Sequence, residues 1–516
     1  MKAKPLFLLA IFVLASLSTC INNPATTSKE APKPNIVYIL ADDLGYGEIG
    51  AYGQEVIETP NIDRLASEGM RFSQHYAGAP VCAPSRCVLL TGKHTGHAYI
   101  RGNDEMTERG DVWDFAAASN DPNLEGQRPI PAGTITIGSV LQTAGYKTAC
   151  IGKWGLGAPL TEGAPNKQGF DFFFGYNCQR QAHTYNPLHL WKNDQKVALN
   201  NQLVAPRTKL DSLADPNDPQ SYKKFAQPDY ATVPMEAEAL SFIERNQDTP
   251  FFLLYASPQP HVPLQAPEKW VKYYQDKLGE EEPYLGDKGY FPNRTPNATY
   301  AAMISHLDEQ VGAIIKKLEE LGLYENTLIV FSSDNGPTYA GGVDPLYFAS
   351  AKPFKGEYGW GKGFVNEGGI RVPMIASWPG KIEANSTSDL ISSFYDILPT
   401  FSEISGSTIP GNIDGISMLP TLLNNEGQEK HEFLFWDYPE YGGQQAVRMD
   451  QWKGIRKNIK KGNLEIELYD LSVDLQELNN IAEDHPDIVK QIAEIMTNEH
   501  TTPEVKTFNM TALGDK

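Results

Sequence analysis

From about residue 35 onward, the chain is organised by short, wholly apolar runs that end in polar clusters. Residues 36–41 (IVYILA), 251–256 (FFLLYA), 328–332 (LIVFS) and 374–378 (MIASW) carry no charge and are rich in β-branched and aromatic residues. A strand with one wet face alternates polar and apolar positions, whereas an unbroken apolar run fits a strand covered on both faces, as in a parallel sheet. Ile304, Leu307, Val311, Ile314, Leu318 and Leu321 recur at three- and four-residue intervals, which predicts an amphipathic helix ended by Gly322. Buried strands alternating with helices predict an α/β fold with a large, mainly parallel central sheet over residues 35–424. Past residue 424 the rhythm changes. Residues 432–438, 444–449, 452–458 and 464–471 read as short successive strands and 486–495 as a helix, which predicts a small antiparallel C-terminal subdomain over 425–516. The Pro-, Asn- and Gly-rich stretches 102–130 and 186–230 have no periodicity. They read as loops too long for mere connections and suited to walling a substrate site.

The first twenty residues follow a different logic. Lys2 and Lys4 precede an apolar run over 6–17 (LFLLAIFVLASL) that is too short to span a bilayer, so 1–20 reads as a signal peptide. It closes on Leu17-Ser18-Thr19-Cys20, which resembles a bacterial lipobox with Thr19 in place of the usual Gly, Ala or Ser. That predicts a lipid on Cys20, with simple cleavage after Ser16-Leu17-Ser18 as the alternative. The polar, Pro-rich residues 21–34 suit a tether. The expected location is the periplasm, outer membrane or cell surface of a Gram-negative bacterium, with membrane contact only through the lipid.

Composition narrows the partners. With 44 basic against 64 acidic residues the net charge is −20, which argues against a protein that grips nucleic-acid phosphates. The five cysteines, at 20, 82, 87, 150 and 178, are too few for a disulfide scaffold. Cys87, Cys150 and Cys178 read as reduced or buried, and a Cys150–Cys178 bridge stays open.

The candidate chemistry lies at strand ends. Asp42-Asp43 closes the first strand, where open α/β sheets place ligands, and Asp334-Asn335 follows another buried strand. An Asp pair alone is more often a solvated turn or cap. Three carboxylates and an amide oxygen are hard ligands, suited to Ca²⁺ or Mg²⁺ and poor for a soft metal, and the absence of a nearby His/Cys cluster disfavours zinc.

The segment Cys82-Ala83-Pro84-Ser85-Arg86-Cys87-Val88-Leu89-Leu90-Thr91-Gly92 matches C-x-P-S-R-x-x-L-x-T-G at every fixed position. It resembles the signature of the type I sulfatases, which include arylsulfatases and bacterial polysaccharide sulfatases and belong to the alkaline-phosphatase superfamily. The resemblance covers nearly the whole chain after residue 34. It implies an alkaline-phosphatase-like sandwich, and oxidation of Cys82 to Cα-formylglycine by a dedicated maturation enzyme. In that chemistry one hydroxyl of the hydrated aldehyde attacks sulfur and expels the alkoxide, and the other then eliminates sulfate. Asp42, Asp43, Asp334, Asn335 and the modified Cys82 match the family's calcium site. Arg86 is implied to hold the hydrate, Lys153 and Lys362 to bind sulfate, and His261 to protonate the leaving oxygen. Lys355 is a rival for the role of Lys362.

One position departs from the pattern. Where many family members read G-K-x-H, this chain reads Gly152-Lys153-Trp154-Gly155, so the base for sulfate elimination is missing there. His183 is the replacement candidate, with a structural loop histidine as the plain alternative. His97 and Arg101 are candidate substrate contacts, or else groups that pin the end of the signature helix. Residues 438–445 and Arg448 are candidates for the rim. The expected activity is hydrolysis of sulfate monoesters on sulfated carbohydrate. A phosphate-ester or phosphonate hydrolase of the same superfamily and a non-catalytic glycan-binding lipoprotein are the competing readings.

Overall fold

The structure is a computed structural model that describes Met1 and residues 32–516. The signal peptide, Cys20 and nearly all of the tether lie outside the described residues. Lys33–Lys516 form one compact unit. Its strands run β1 Asn35–Asp42, β2 Met70–Phe72, β3 His75–Tyr76, β4 Lys147–Lys153, β5 Phe172–Tyr176, β6 His189–Lys192, β7 Gln195–Ala198, β8 Phe251–Pro260, β9 Thr327–Ser333, β10 Met374–Ser377, β11 Ser386–Ser388, β12 Ser392–Ser393, β13 Leu434–Tyr438, β14 Gln444–Met449, β15 Trp452–Lys457 and β16 Glu467–Asp470. Ten of them make one sheet in the order β11-β2-β10-β9-β1-β8-β4-β5-β6-β7. The centre, β9-β1-β8-β4-β5, is parallel, and antiparallel strands flank it on both sides.

Strand β1 shows why the apolar runs do not alternate. Ile36, Tyr38 and Leu40 join the core on one face of the sheet and Val37, Ile39 and Ala41 the core on the other. The helix expected to end near Gly322 runs over Pro296–Glu320, two turns longer at its N-terminus. Small residues (Ala298, Ala301, Ala302) hide the period there, Pro296 sits at N1, and the Glu281 carboxylate accepts from the amides of Asn297 and Ala298. Residues 186–230 are not all loop. β6 and β7 form a hairpin that extends the sheet edge, turning at Asn193 in the left-handed region with φ 54°.

The C-terminal strands form a separate four-stranded antiparallel sheet, β13-β14-β15-β16, with the helix Pro486–Asn498 on one side. Leu434, Trp436, Tyr438, Ala446 and Ile455 join the larger core. A buried ionic cluster strengthens this junction. Lys453 lies 2.7 Å from Glu367 and 3.0 Å from Glu477, and Arg371 lies 3.0 Å from Glu367. No described helix is long and apolar enough to cross a membrane.

Candidate active site

Four neighbouring parallel strands deliver the site. Asp42 ends β1, Asp334 and Asn335 follow β9, His261 follows β8 and Lys153 ends β4, so the carboxyl ends of β9-β1-β8-β4 converge at one place. Asp43, just past β1, adopts φ 69°, a left-handed turn that sets its carboxylate beside that of Asp42. Gly152 lets β4 approach β8 closely, since a Cβ there would lie 1.9 Å from the Ala256 carbonyl oxygen. Cys82 is the first residue of the helix Cys82–Thr91, at the positive end of its dipole, and every residue of that helix is buried.

The Cys82 sulfur lies 3.3 Å from Asp42 Oδ1, 3.4 Å from Lys153 Nζ and 3.7 Å from Lys362 Nζ. Lys153 Nζ also sits 2.5 Å from Asp42 Oδ2, and Lys362 Nζ 2.6 Å from Asp43 Oδ1. Arg86 donates to Asp334 at 2.9 Å and to the Lys153 carbonyl, so it braces the carboxylates and makes no bond to Cys82. His261 donates through Nδ1 to the Val262 carbonyl, which leaves Nε2 turned toward Asp43, 3.7 Å away. Lys355 pairs instead with Glu357 at 2.8 Å and lies over the Trp360 ring, so of the two rivals only Lys362 reaches the sulfur.

Burial makes these charges interact strongly. It pushes the Cys82 thiol well above its usual range, with Asp42 adding to the effect and Lys153 and Lys362 opposing it. Burial and then the Asp42 charge push Asp334 up to about 7. Burial would raise Asp42, but the charges of Lys153, Arg86 and Lys362 hold it low. His261 is driven well down by burial, Lys362 and Lys153 and is neutral near pH 7.

The donor set suits a hard cation. Three buried carboxylates crowd together, and Asn335 spends its amide nitrogen on Asp43 at 2.8 Å while its Oδ1 is buried without a partner. Asp42, Asp43, Cys82 and His261 can bring ligand atoms within 4.8 Å of one another. An unshared buried acceptor among like charges is what a calcium ion would relieve.

His183, the candidate replacement for the missing histidine, lies against His261. Its ring stacks on His261, with centroids 5.3 Å apart and an interplanar angle of 10°, and meets Tyr290 edge-on at 5.3 Å. Tyr185 locks this segment in place, its hydroxyl donating to the carbonyls of Pro258 and His261 at 2.6 and 2.8 Å. Burial, then His261, Lys153 and Lys362, keep His183 well below its ordinary pKa and therefore neutral. Two neighbours escaped sequence reasoning. Tyr290 belongs to a stretch without periodicity, and Gln179 takes the space beside Gly155, where an added Cβ would meet Gln179 Oε1 at 3.1 Å. The retreat of the side chain at Gly155 was the available signal for a replacement.

Arg101 and His97 are both engaged by partners within the protein. Arg101 donates to Ala98, Gly96 and Thr501 and pairs with Asp437 at 3.4 Å, which uses all its donors inside the protein. His97 bonds Asp414 at 2.9 Å and His94 bonds Glu499 at 3.1 Å, tying the exit of the signature helix to the end of Pro486–Asn498. His94, His97 and Glu499 do not make a second cation site. The Gly96 amide donates to His94 Nδ1, so Nε2 carries the proton and has no free lone pair. Cys82, Cys87, Cys150 and Cys178 are free and buried, so Cys150 and Cys178 are not bridged. At the expected rim, Arg448 is buried against Gln74, whereas Tyr441 is 47% exposed.

Residues 34–407 match the family profile described as Sulfatase, and residues 356–502 match N-sulphoglucosamine sulphohydrolase, C-terminal. The chain is 31% identical over 466 residues to arylsulfatase G of Rattus norvegicus, covering 82% of this chain and 76% of that protein. It is 32% identical over 441 residues to arylsulfatase A of Homo sapiens, covering 82% and 75%. The crystal structure of Ps i-CgsB in complex with k-i-k-neocarrahexaose superposes with a TM-score of 0.71 at 27% identity, covering 92% of this chain and 94% of that one. With the signature cysteine set between two lysines at the carboxyl edge of the sheet, and a family match over most of its length, the chain belongs to the sulfatase family and is a sulfuric ester hydrolase.

Proposed function

We propose that this chain is an exported sulfatase that removes sulfate from sulfated carbohydrate, with Cys82 matured to formylglycine and a calcium ion beside it. The observation that carries this reading is the Cys82 sulfur held 3.4 and 3.7 Å from two ammonium groups, in surroundings that suppress a thiolate. A thiol kept protonated is a poor nucleophile, whereas two lysines flanking it suit an anionic sulfate. Once formed, the formylglycine hydrate supplies the attacking hydroxyl. Asp42, Asp43, Asp334 and Asn335 would hold the calcium, whose charge offsets that of the sulfate oxygens.

The chain's own residues do the rest. Lys153 and Lys362 grip sulfate oxygens and orient the ester. His261, with Nδ1 tied to Val262, presents Nε2 to the leaving oxygen. Nε2 carries no proton in the neutral ring, so it first takes the one lost by the attacking hydroxyl and then, being a weak base, passes it to the leaving oxygen. His183, neutral and stacked behind it, accepts the proton released when sulfate departs, the role Gly155 lacks the side chain to fill. The carbohydrate assignment draws support from the neocarrahexaose in the similar structure. Export and a lipid on Cys20 rest on the N-terminal sequence.

The test is the mass of the tryptic peptide spanning Cys82 from protein made in its native host, followed by turnover of 4-nitrophenyl sulfate and phosphate. A loss of about 18 Da from the thiol form, together with preferential sulfate release, is expected. An unmodified thiol shifts the reading to a binding protein, and preferential phosphate release to a phosphate-ester hydrolase.

A further inference from the structure

Beyond the reacting centre, the chain that follows Asn335 leads to a cleft. Pro337, two residues after Asn335, accepts the Lys362 amide at 3.1 Å, and Tyr339 lies two residues further on. Gly341 abuts Tyr290, the residue that meets both His183 and His261 edge-on, and leaves no room for a side chain, since a Cβ would lie 3.1 Å from that ring. Gly342 then lines a cleft of about 620 Å³ whose walls include Tyr339, Tyr358, Tyr284 and Leu346. Tyr358 and Leu346 are each 68% exposed, and Tyr339 meets Tyr358 edge-on at 5.2 Å.

Two features of this cleft point to a ligand. An exposed tyrosine ring offers a flat apolar face and a polar hydroxyl, which matches the CH face and hydroxyl rim of a pyranose. Its charge is one-sided: Glu282, Asp287, Asp344 and Glu357 line it against the single ammonium of Lys288. Lys355 pairs with Glu357 from the side, and Glu357 Oε2 is buried without a hydrogen-bond partner. The reacting centre is built to attract a sulfate, whereas this adjoining cleft repels one.

We propose that the cleft is a subsite for a neighbouring, unsulfated sugar of the carbohydrate whose sulfate sits at Cys82, so that the enzyme selects sulfates flanked by an uncharged unit. This rests on the carbohydrate reading above. A sulfate about 7 Å from one solvated carboxylate is disfavoured by about threefold, and with several unbalanced carboxylates the penalty reaches on the order of tenfold at low salt.

The experiment uses full-length Cys82→Ala protein and a panel of oligosaccharides of about two to six sugars from sulfated galactans, fucans and glycosaminoglycans. Each is supplied singly sulfated and with sulfates on adjacent units, and binding is read by calorimetry at low salt. The best-bound series is expected to tighten with length and to favour the singly sulfated form by about tenfold. Tyr358→Ala removes the gain with length, Asp287→Lys narrows the preference against a second sulfate, and matured enzyme carrying either change still turns over 4-nitrophenyl sulfate at the parent rate. Absence of a length gain in every series overturns the subsite, as does a length gain that survives Tyr358→Ala or a sulfate preference unmoved by Asp287→Lys. Failure of the sulfatase reading shows separately, as matured parent enzyme that leaves 4-nitrophenyl sulfate intact while the binding results stand.

Discussion

Lys453 offers a quantitative test of how the C-terminal sheet supports the site. It is fully buried on β15, with its ammonium 2.7 Å from Glu367 and 3.0 Å from Glu477. Glu367 opens the short helix that follows the Lys362 loop and keeps a second cation in Arg371, 3.0 Å away, whereas Glu477 has no other ion-pair partner among the described residues. Burial and the Glu367 charge already raise Glu477 even with Lys453 present. Lys453→Met preserves the volume and removes the charge, so folding requires Glu477 to take up a proton. Starting from an ordinary glutamate pKa of about 4.5, that uptake costs about 1.4 kcal/mol per pH unit, or about 3.4 kcal/mol at pH 7 and under about 1 kcal/mol at pH 5. The sign follows from proton counts. Between those pH values the folded variant binds one more proton than its unfolded chain, so its stability falls as pH rises, up to the raised folded-state pKa. At roughly 2.1 cal/mol/K per residue, a unit of this size loses about 1 °C per kcal/mol. Because the parent already bears part of this cost, thermal melts of parent and variant should differ by up to about 3–4 °C at pH 7 and by less than about 1 °C at pH 5. An unchanged melting point at pH 7, or a deficit of equal size at both pH values, would refute the reasoning.

Cys82→Ala should abolish turnover by on the order of 10⁴-fold while moving the melting point little, checked by sulfate release and thermal melts on the same preparation. Asp43→Ala strips Lys362, Asn335 and His261 of a shared partner; it should lose bound calcium by elemental analysis and activity with it, and unchanged metal content would show the ligand assignment to be wrong. Arg101→Met leaves the Gly96, Ala98 and Thr501 acceptors unpaired, so it should destabilise by about 3 kcal/mol or more while the specific activity of the folded fraction stays near the parent's; a selective rise in KM would restore a substrate role to Arg101. His183→Ala should lower kcat by about 10²-fold and erase the acid limb of its pH profile, which lies below the ordinary histidine range because His183 acts as a base only when neutral and burial holds its pKa down. A profile that keeps its shape would assign the base elsewhere.

Much of the molecule was legible before its structure. The runs at 36–41 and 328–332 appear as β1 and β9 because a strand buried on both faces cannot hide its composition, and the signature segment announces its chemistry because the reaction fixes seven residue types at fixed spacing. The hairpin β6–β7 was not legible, since its turn depends on one left-handed Asn and its strands on an edge that other segments supply. The first two turns of Pro296–Glu320 were lost among small residues whose burial only neighbouring elements decide.

The sequence by itself determined the family and the reaction class, hydrolysis of a sulfate ester, through the signature segment, and it supplied the candidate residues. Tertiary structure decided which of them meet. It chose Lys362 over Lys355, turned His97 and Arg101 into struts, stacked His183 on His261 and filled the space beside Gly155 with Gln179. The physical reason is range. A motif records chemistry along about ten residues of chain, whereas a side chain's role depends on which partner reaches its polar atoms first, and those partners arrive from strands and loops up to several hundred residues away.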